Sequence, residues 1–153
     1  MNPAKIVIRK ATSDDVQTIS EITDASYGKW VPLIGRKPLP MMADYGRMAI
    51  ENEIWLLSVD EQAAGVLVLV YEAESTLIYS VAIKPEYQKK GLGHRLLDLA
   101  EECAKRAGHN TVRLYTNERF EENIALYKRY GYRETKRELA VLGSIAVYMD
   151  KAI

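Results

Sequence analysis

The stretch Gln88-Lys89-Lys90-Gly91-Leu92-Gly93-His94-Arg95 constrains this chain more than any other. An apolar run from Leu77 to Ile83 precedes it and reads as a strand. Leu96, Leu97, Leu99, Ala100 and Cys103 follow at spacings that mark one face of a helix. Strand, glycine-containing loop and helix together turn a helix N-terminus into an anion site. Its unpaired backbone N–H groups point outward, and the helix dipole adds partial positive charge. Glycine admits positive φ and lets the backbone approach a ligand closely. Lys89, Lys90 and Arg95 add mobile charge. A phosphate or pyrophosphate is the ligand this chemistry suits.

Two common phosphate loops do not fit. A P-loop requires Lys and then Ser or Thr after its last glycine, where this chain has His94 and Arg95. A dinucleotide fingerprint requires a third glycine where Leu96 stands, and an acidic residue ending a following strand. What remains is Gln-x-x-Gly-x-Gly after Val81-Ala82-Ile83-Lys84-Pro85. A second motif lies downstream: the short strand Leu114-Tyr115-Thr116-Asn117, then Asn123-Ile124-Ala125-Leu126-Tyr127-Lys128-Arg129-Tyr130-Gly131-Tyr132. Gly131 is placed to end that helix as a C-cap, and Tyr132 to open the next strand. Together the two motifs resemble the GCN5-related N-acetyltransferase (GNAT) superfamily: its acyl-CoA pyrophosphate loop, then its closing helix with Ala-Leu-Tyr-x-x-x-Gly-aromatic. The resemblance covers Leu77 to Tyr132 in the family's order.

Bulk properties narrow the class. The 153 residues suit a single domain spanning 1–153. Twenty-one basic and 21 acidic residues cancel, which argues against nucleic acid as a partner. No apolar run reaches membrane-spanning length, and the first residues lack a signal-peptide core, so no membrane partner is expected. The lone Cys103 forms no internal disulfide and suits a cytoplasmic setting as a buried thiol. His94 and His109 stand apart from any Cys or acidic cluster, so no metal is expected.

The layout predicted is α/β: a mixed, mostly antiparallel sheet flanked by helices. Ile6 to Arg9 reads as a strand. Thr12 to Asp15 caps a helix with Val16, Ile19, Ile22 and Ala25 on one face. Gly28 to Pro40 reads as a loop and Asp44 to Ile50 as a short helix. Ile54 to Val59 and Ala64 to Tyr71 form a hairpin turning at Asp60 to Gln62. The phosphate-loop helix ends near Gly108. Val112 to Thr116, Glu121 to Tyr130, Tyr132 to Val141 and Ile145 to Met149 read as strand, helix, strand and strand, with Gly143 turning the last pair.

The resemblance implies transfer of an acetyl group from acetyl-CoA to a primary amine of a small molecule or peptide, by direct attack and without a covalent enzyme intermediate. The alternative is a non-catalytic acyl-CoA-binding module on the same fold. The cofactor contacts it implies are Gln88, Lys89, Lys90, Gly91, Leu92, Gly93, His94 and Arg95 around the pyrophosphate, and the backbones of Val81 and Ile83 beside the pantetheine arm. Tyr127 takes the position of the acid that protonates the leaving thiolate. The usual family asparagine, seven residues before that tyrosine, is Phe120 here; Asn123, one turn before Tyr127, is chosen for a CoA contact, with Asn117 a helix cap. Many relatives carry a glutamate in the strand before the loop, and this strand has none. Glu72 and Tyr79 lie nearest that position. Trp30, with Tyr27, Arg36, Met41 and Met42, reads as pocket lining, or equally Trp30 and the methionines anchor this loop to the core. The apolar segment from Leu139 to Met149 either offers a surface for a homodimer or is ordinary core.

Overall fold

The computed structural model describes residues 3–140 and 143–153. Seven strands form one sheet: β1 (Ile6–Lys10), β2 (Glu53–Val59), β3 (Gln62–Tyr71), β4 (Thr76–Ile83), β5 (Thr111–Asn117), β6 (Arg133–Leu139) and β7 (Ile145–Ala152). Their spatial order is β1-β2-β3-β4-β5-β7-β6. Every neighbouring pair is antiparallel except β4 and β5, which are parallel. The mixed, mostly antiparallel sheet expected from the sequence is therefore the observed one.

The helices are α1 (Val16–Tyr27), α2 (Val31–Ile34), α3 (Tyr45–Glu51), α4 (Leu92–Arg106) and α5 (Glu121–Tyr130). A capping box starts the first helical segment: Thr12 Oγ1 accepts from Asp14 N, and Asp15 accepts from Thr12 N. Arg9 holds Asp15 through two hydrogen bonds of 2.7 and 2.9 Å, and together these donors lower the Asp15 carboxyl to about 2. The buried face of α1 is Ile19, Ile22, Thr23 and Tyr27, and Ala25 is exposed. Strides of three from Val16 accumulate a half-turn error by residue 25, because a helix advances about 100° per residue. The turn between β2 and β3 holds Asp60 and Glu61 at φ 48 and 69, the left-handed pair a two-residue hairpin demands.

The period of two along β3 divides the core between the sheet's faces. Leu67 and Leu69 join α4 and α5 on one side, through Leu96, Leu97, Ala100, Cys103, Ile124 and Tyr127. Val66 and Val68 join α1 and α3 on the other, through Ile19, Ile22, Tyr27 and Tyr45. The segment expected as a plain loop, Gly28 to Pro40, contains helical turns at Gly28–Trp30 and Val31–Ile34, and another begins at Leu39. Trp30 pins it: its ring stacks on Phe120 at 4.5 Å, and apolar anchoring of this kind lets a weakly periodic sequence hold short helices.

The late strands differ from the reading of their sequence. β6 is shorter than Tyr132 to Val141, and Val141 lies outside the described residues. β7 is hydrogen-bonded on both edges, to β5 and β6, so it offers no free edge for pairing with a second copy. The sheet ends instead at β6, whose seven residues are all exposed and mostly charged. Such an edge resists strand addition.

The feature that positions the site is a split. β4 and β5 pair at only two positions, Thr76 with Val112 and Leu77 with Arg113. Beyond Leu77 the strands have no further pairing, and β4 carries a bulge: Val68 faces Ser80 and Leu69 faces Ile78, leaving Tyr79 as the extra residue.

Candidate acyl-CoA cleft and acceptor cavity

Alternation decides which β4 backbone groups face the split. Lys84 N donates to Ala64 O at 2.8 Å, toward β3. Counting back along an antiparallel ladder, Ala82 and Ser80 bond the same way, whereas Val81 and Ile83 turn their N–H and C=O groups toward the unpaired side. Gln88 Nε2 donates to Ile83 O at 2.9 Å, which satisfies that carbonyl and ties the loop to the strand end. The rest is an open strand edge inside the protein, a template for an extended ligand.

At the far end of this edge stands the helix terminus. Gly91 is the N-cap of α4 at φ 78, and no side chain caps the helix. Arg95 N is the first to bond back, to Gly91 O at 3.3 Å, so the N–H groups of Leu92, Gly93 and His94 face outward without helical partners. Lys89 is also left-handed, at φ 63, a conformation that non-glycine residues adopt chiefly at turns and ligand clamps. A Cβ built on Gly93 meets nothing within 4 Å and its φ is ordinary. Packing therefore does not require glycine there, although glycine weakens a helix by up to about 1 kcal/mol relative to alanine. The bare backbone fits a group that must come close, and Lys89, Lys90 and Arg95 stand exposed around it.

At the near end, two tyrosines from opposite core clusters lie within electrostatic reach of each other. Tyr127, on α5, belongs with α4; Tyr27, at the end of α1, belongs with the other face. Burial pushes the Tyr127 hydroxyl far above the usual tyrosine range, and the neighbouring Tyr27 and Tyr132 phenols push the same way. Burial also raises Tyr27, whose hydroxyl lies 3.4 Å from Ser80 Oγ. Tyr127 thus remains a proton donor at any physiological pH and is unsuited to be a base.

Beside them opens a cavity of about 520 Å³. Its wall comes from five separate places: Tyr27, the segment from Ile34 to Pro40, Tyr79 at the bulge, Arg113 to Asn117 with Phe120, and the β6–β7 connection with Tyr148. Tyr79 lines it. Asn117 lines it too, and its Oδ1 accepts from Arg119 N at 2.9 Å in the turn before α5. Asn123 sits in the first turn of α5, one turn before Tyr127, and is not part of this wall. Glu72 is not a wall residue: Arg113 Nε and Nη2 grip its carboxylate at 2.5 and 2.7 Å and hold it below the usual range. Trp30 is turned away, stacked on Phe120 and bordering a separate depression with Leu33 and Glu122. Arg113, Tyr115, Phe120, Ser144 and Tyr148 are among the wall residues that the sequence did not assign to a pocket. The cross-strand pairing of Tyr115 with Tyr148 explains two of them, and only the fold brings that pair together.

Comparison with known proteins agrees with this geometry. The family model for the acetyltransferase (GNAT) domain matches residues 51–134, which contain the loop, the open strand and α5. The chain belongs to this family. It is 35% identical over 83 residues to YvbK, an uncharacterized N-acetyltransferase of Bacillus subtilis (strain 168); the match covers 54% of each chain, so it spans about half the length of that relative. The fold matches PaiA N-acetyltransferase from Thermoplasma acidophilum, solved in complex with coenzyme A, at a TM-score of 0.79 and 21% identity over 97% of this chain and 99% of that one. It also matches a GNAT acetyltransferase from Elizabethkingia anophelis with acetyl-CoA bound, at 0.75 and 17%, over 97% and 98%. Among the described residues no helix is long and apolar enough to cross a membrane.

Proposed function

We propose that this protein transfers an acetyl group from acetyl-CoA to a primary amine of a small molecule or peptide, by direct attack. The observation that carries the reading is the open β4 edge joining two unlike ends: an uncapped helix N-terminus at one and a cavity at the other. At about 3.3 Å per residue, Tyr79 to Ile83 spans roughly 13 Å, so a ligand held at both ends must be long and extended. Acetyl-CoA has that form, and it supplies the thioester at its tip.

Each residue then has a task. The N–H groups of Leu92, Gly93 and His94 hold the pyrophosphate, with Gln88 anchoring the loop and Lys89, Lys90 and Arg95 adding charge. Backbone groups of Val81 and Ile83 hold the arm along the strand. The amine nitrogen forms a bond to the thioester carbonyl carbon as the carbon–sulfur bond breaks. One proton leaves the nitrogen and one reaches the sulfur. Tyr127 donates a hydrogen bond to that sulfur. Its raised pKa makes it a stabiliser of the departing thiolate rather than a strong acid, and the effect is correspondingly modest. Among the described residues no carboxylate lines the cavity, so the amine sheds its proton to solvent or through Tyr79 and the Tyr27–Ser80 pair.

Calorimetry with acetyl-CoA on the wild type and Gly91→Glu, followed by thiol release with amines, tests this reading. The variant forces a side chain into a left-handed position and sets a carboxylate at an anion site. Binding should weaken by roughly a hundredfold while circular dichroism is unchanged. Equal binding by both proteins would remove the loop from the account. Tight binding without turnover of any amine would favour the non-catalytic module.

A further inference from the structure

Among the described residues that line the cavity there are two arginines and no Asp or Glu. The residues outside the described segments, Met1, Asn2, Val141 and Leu142, carry no acidic side chain. The imbalance is local, since the chain as a whole is neutral. Arg113 is already neutralised by the two hydrogen bonds to Glu72. Arg36 is not. It is half-buried, its Nη2 donates to Ser144 Oγ at 2.5 Å and its Nη1 to the Lys37 carbonyl at 3.2 Å, and among the described residues it forms no ion pair. Both partners are neutral oxygens that orient the guanidinium without discharging it. Of its five N–H donors, three remain for a ligand.

We infer that the acceptor is a small amine that also carries a carboxylate, the carboxylate held by Arg36 beside Ser144. This rests on the transferase reading above and narrows its substrate. An oriented guanidinium without a counter-ion is suited to a planar, singly charged carboxylate. One uncompensated cation matches one negative charge better than the nearly two of a phosphate. A wall without acids offers a polycationic acceptor nothing to replace its hydration. Leu39, Phe120 and Leu139, with the rings of Tyr115 and Tyr148, leave room for a hydrocarbon or aromatic side chain. The volume is that of a small-molecule site.

Thiol release at saturating acetyl-CoA tests this with matched acceptors: amino acids, each beside its carboxamide and its decarboxylated amine, plus spermidine and an aminoalkylphosphonate. At least one amino acid should exceed its uncharged partners in kcat/KM by roughly tenfold to a hundredfold, as for a charge-assisted contact. Arg36→Ala should erase that preference through acceptor KM, with kcat and the KM for acetyl-CoA retained, and Arg36→Lys should recover part of it. Preference for the uncharged partners, spermidine or the phosphonate overturns the inference. So does a preference that survives Arg36→Ala, or an enzyme that binds acetyl-CoA and turns over none of these amines. Failure to bind acetyl-CoA would instead remove the transferase reading beneath it.

Discussion

The two ends of the open β4 edge are built in opposite ways. The α4 terminus is local: between Ile83 and His94, Gln88 ties back to Ile83, Lys89 and Gly91 turn left-handed, and three N–H groups face outward. The cavity is assembled from five places as far apart in sequence as Tyr27 and Tyr148, joined only by the sheet order and the β4–β5 split. A local device is set by backbone geometry and serves one ligand group. An assembled one can change its wall side chain by side chain while the frame stays constant. That difference fits a common acyl donor held by the first and a particular acceptor chosen by the second.

The largest expected effect tests how the assembled end is held. Trp30 is buried against Phe120, and Phe120 is in the cavity wall. Trp30→Ala should cost about 3 kcal/mol in chemical denaturation, by the usual toll of deleting a buried aromatic, and Trp30→Phe much less. If instead stability is kept and only acceptor KM rises, Trp30 is a substrate contact and the packing role is wrong.

Tyr127 belongs to the near end, on the α5 side of the sheet. Tyr127→Phe should lower kcat by about tenfold, at or below the lower end for proton-transfer groups because a thiolate leaves readily, with acetyl-CoA affinity nearly unchanged. Because burial raises its ionisation above the usual tyrosine range, the wild-type rate should show no loss from Tyr127 deprotonation up to pH 10. A fall in affinity without a fall in kcat would make it packing alone.

The smallest effect is the sharpest test of the local end, because its two readouts move oppositely. Gly93→Ala removes a helix-weakening residue and places a methyl in open space. The fold should gain about 0.5 kcal/mol, while acetyl-CoA binding weakens several-fold. Gains in both would show that no ligand approaches the backbone there.

The same contrast explains what the sequence made legible. The glycine turn before α4, the capping box at Thr12 and the C-cap at Gly131, which is at φ 109, are short-range geometry written in adjacent residues. The period of two in β3 and the helical spacing of Leu96, Leu97, Ala100 and Cys103 exposed the core. The cavity was only partly visible. Tyr79 stands out by its position in the strand, but its status as a bulge depends on where Val68 and Leu69 pair. Arg113 and Glu72 are 41 residues apart and meet because β4 and β5 pair at two positions only. Residues Gly28 to Pro40 carried loop-like composition, and their helical turns arise from tertiary contacts such as Trp30 on Phe120.

The central claim is that one extended ligand spans both ends along β4. Amide hydrogen exchange, resolved by residue with and without acetyl-CoA, addresses it directly. Protection should rise together at Val81 and Ile83 of the open edge and at Leu92, Gly93 and His94 of the helix terminus, while Ala82, already bonded toward β3, changes little. Protection confined to the helix terminus, or none at either place, would contradict the account.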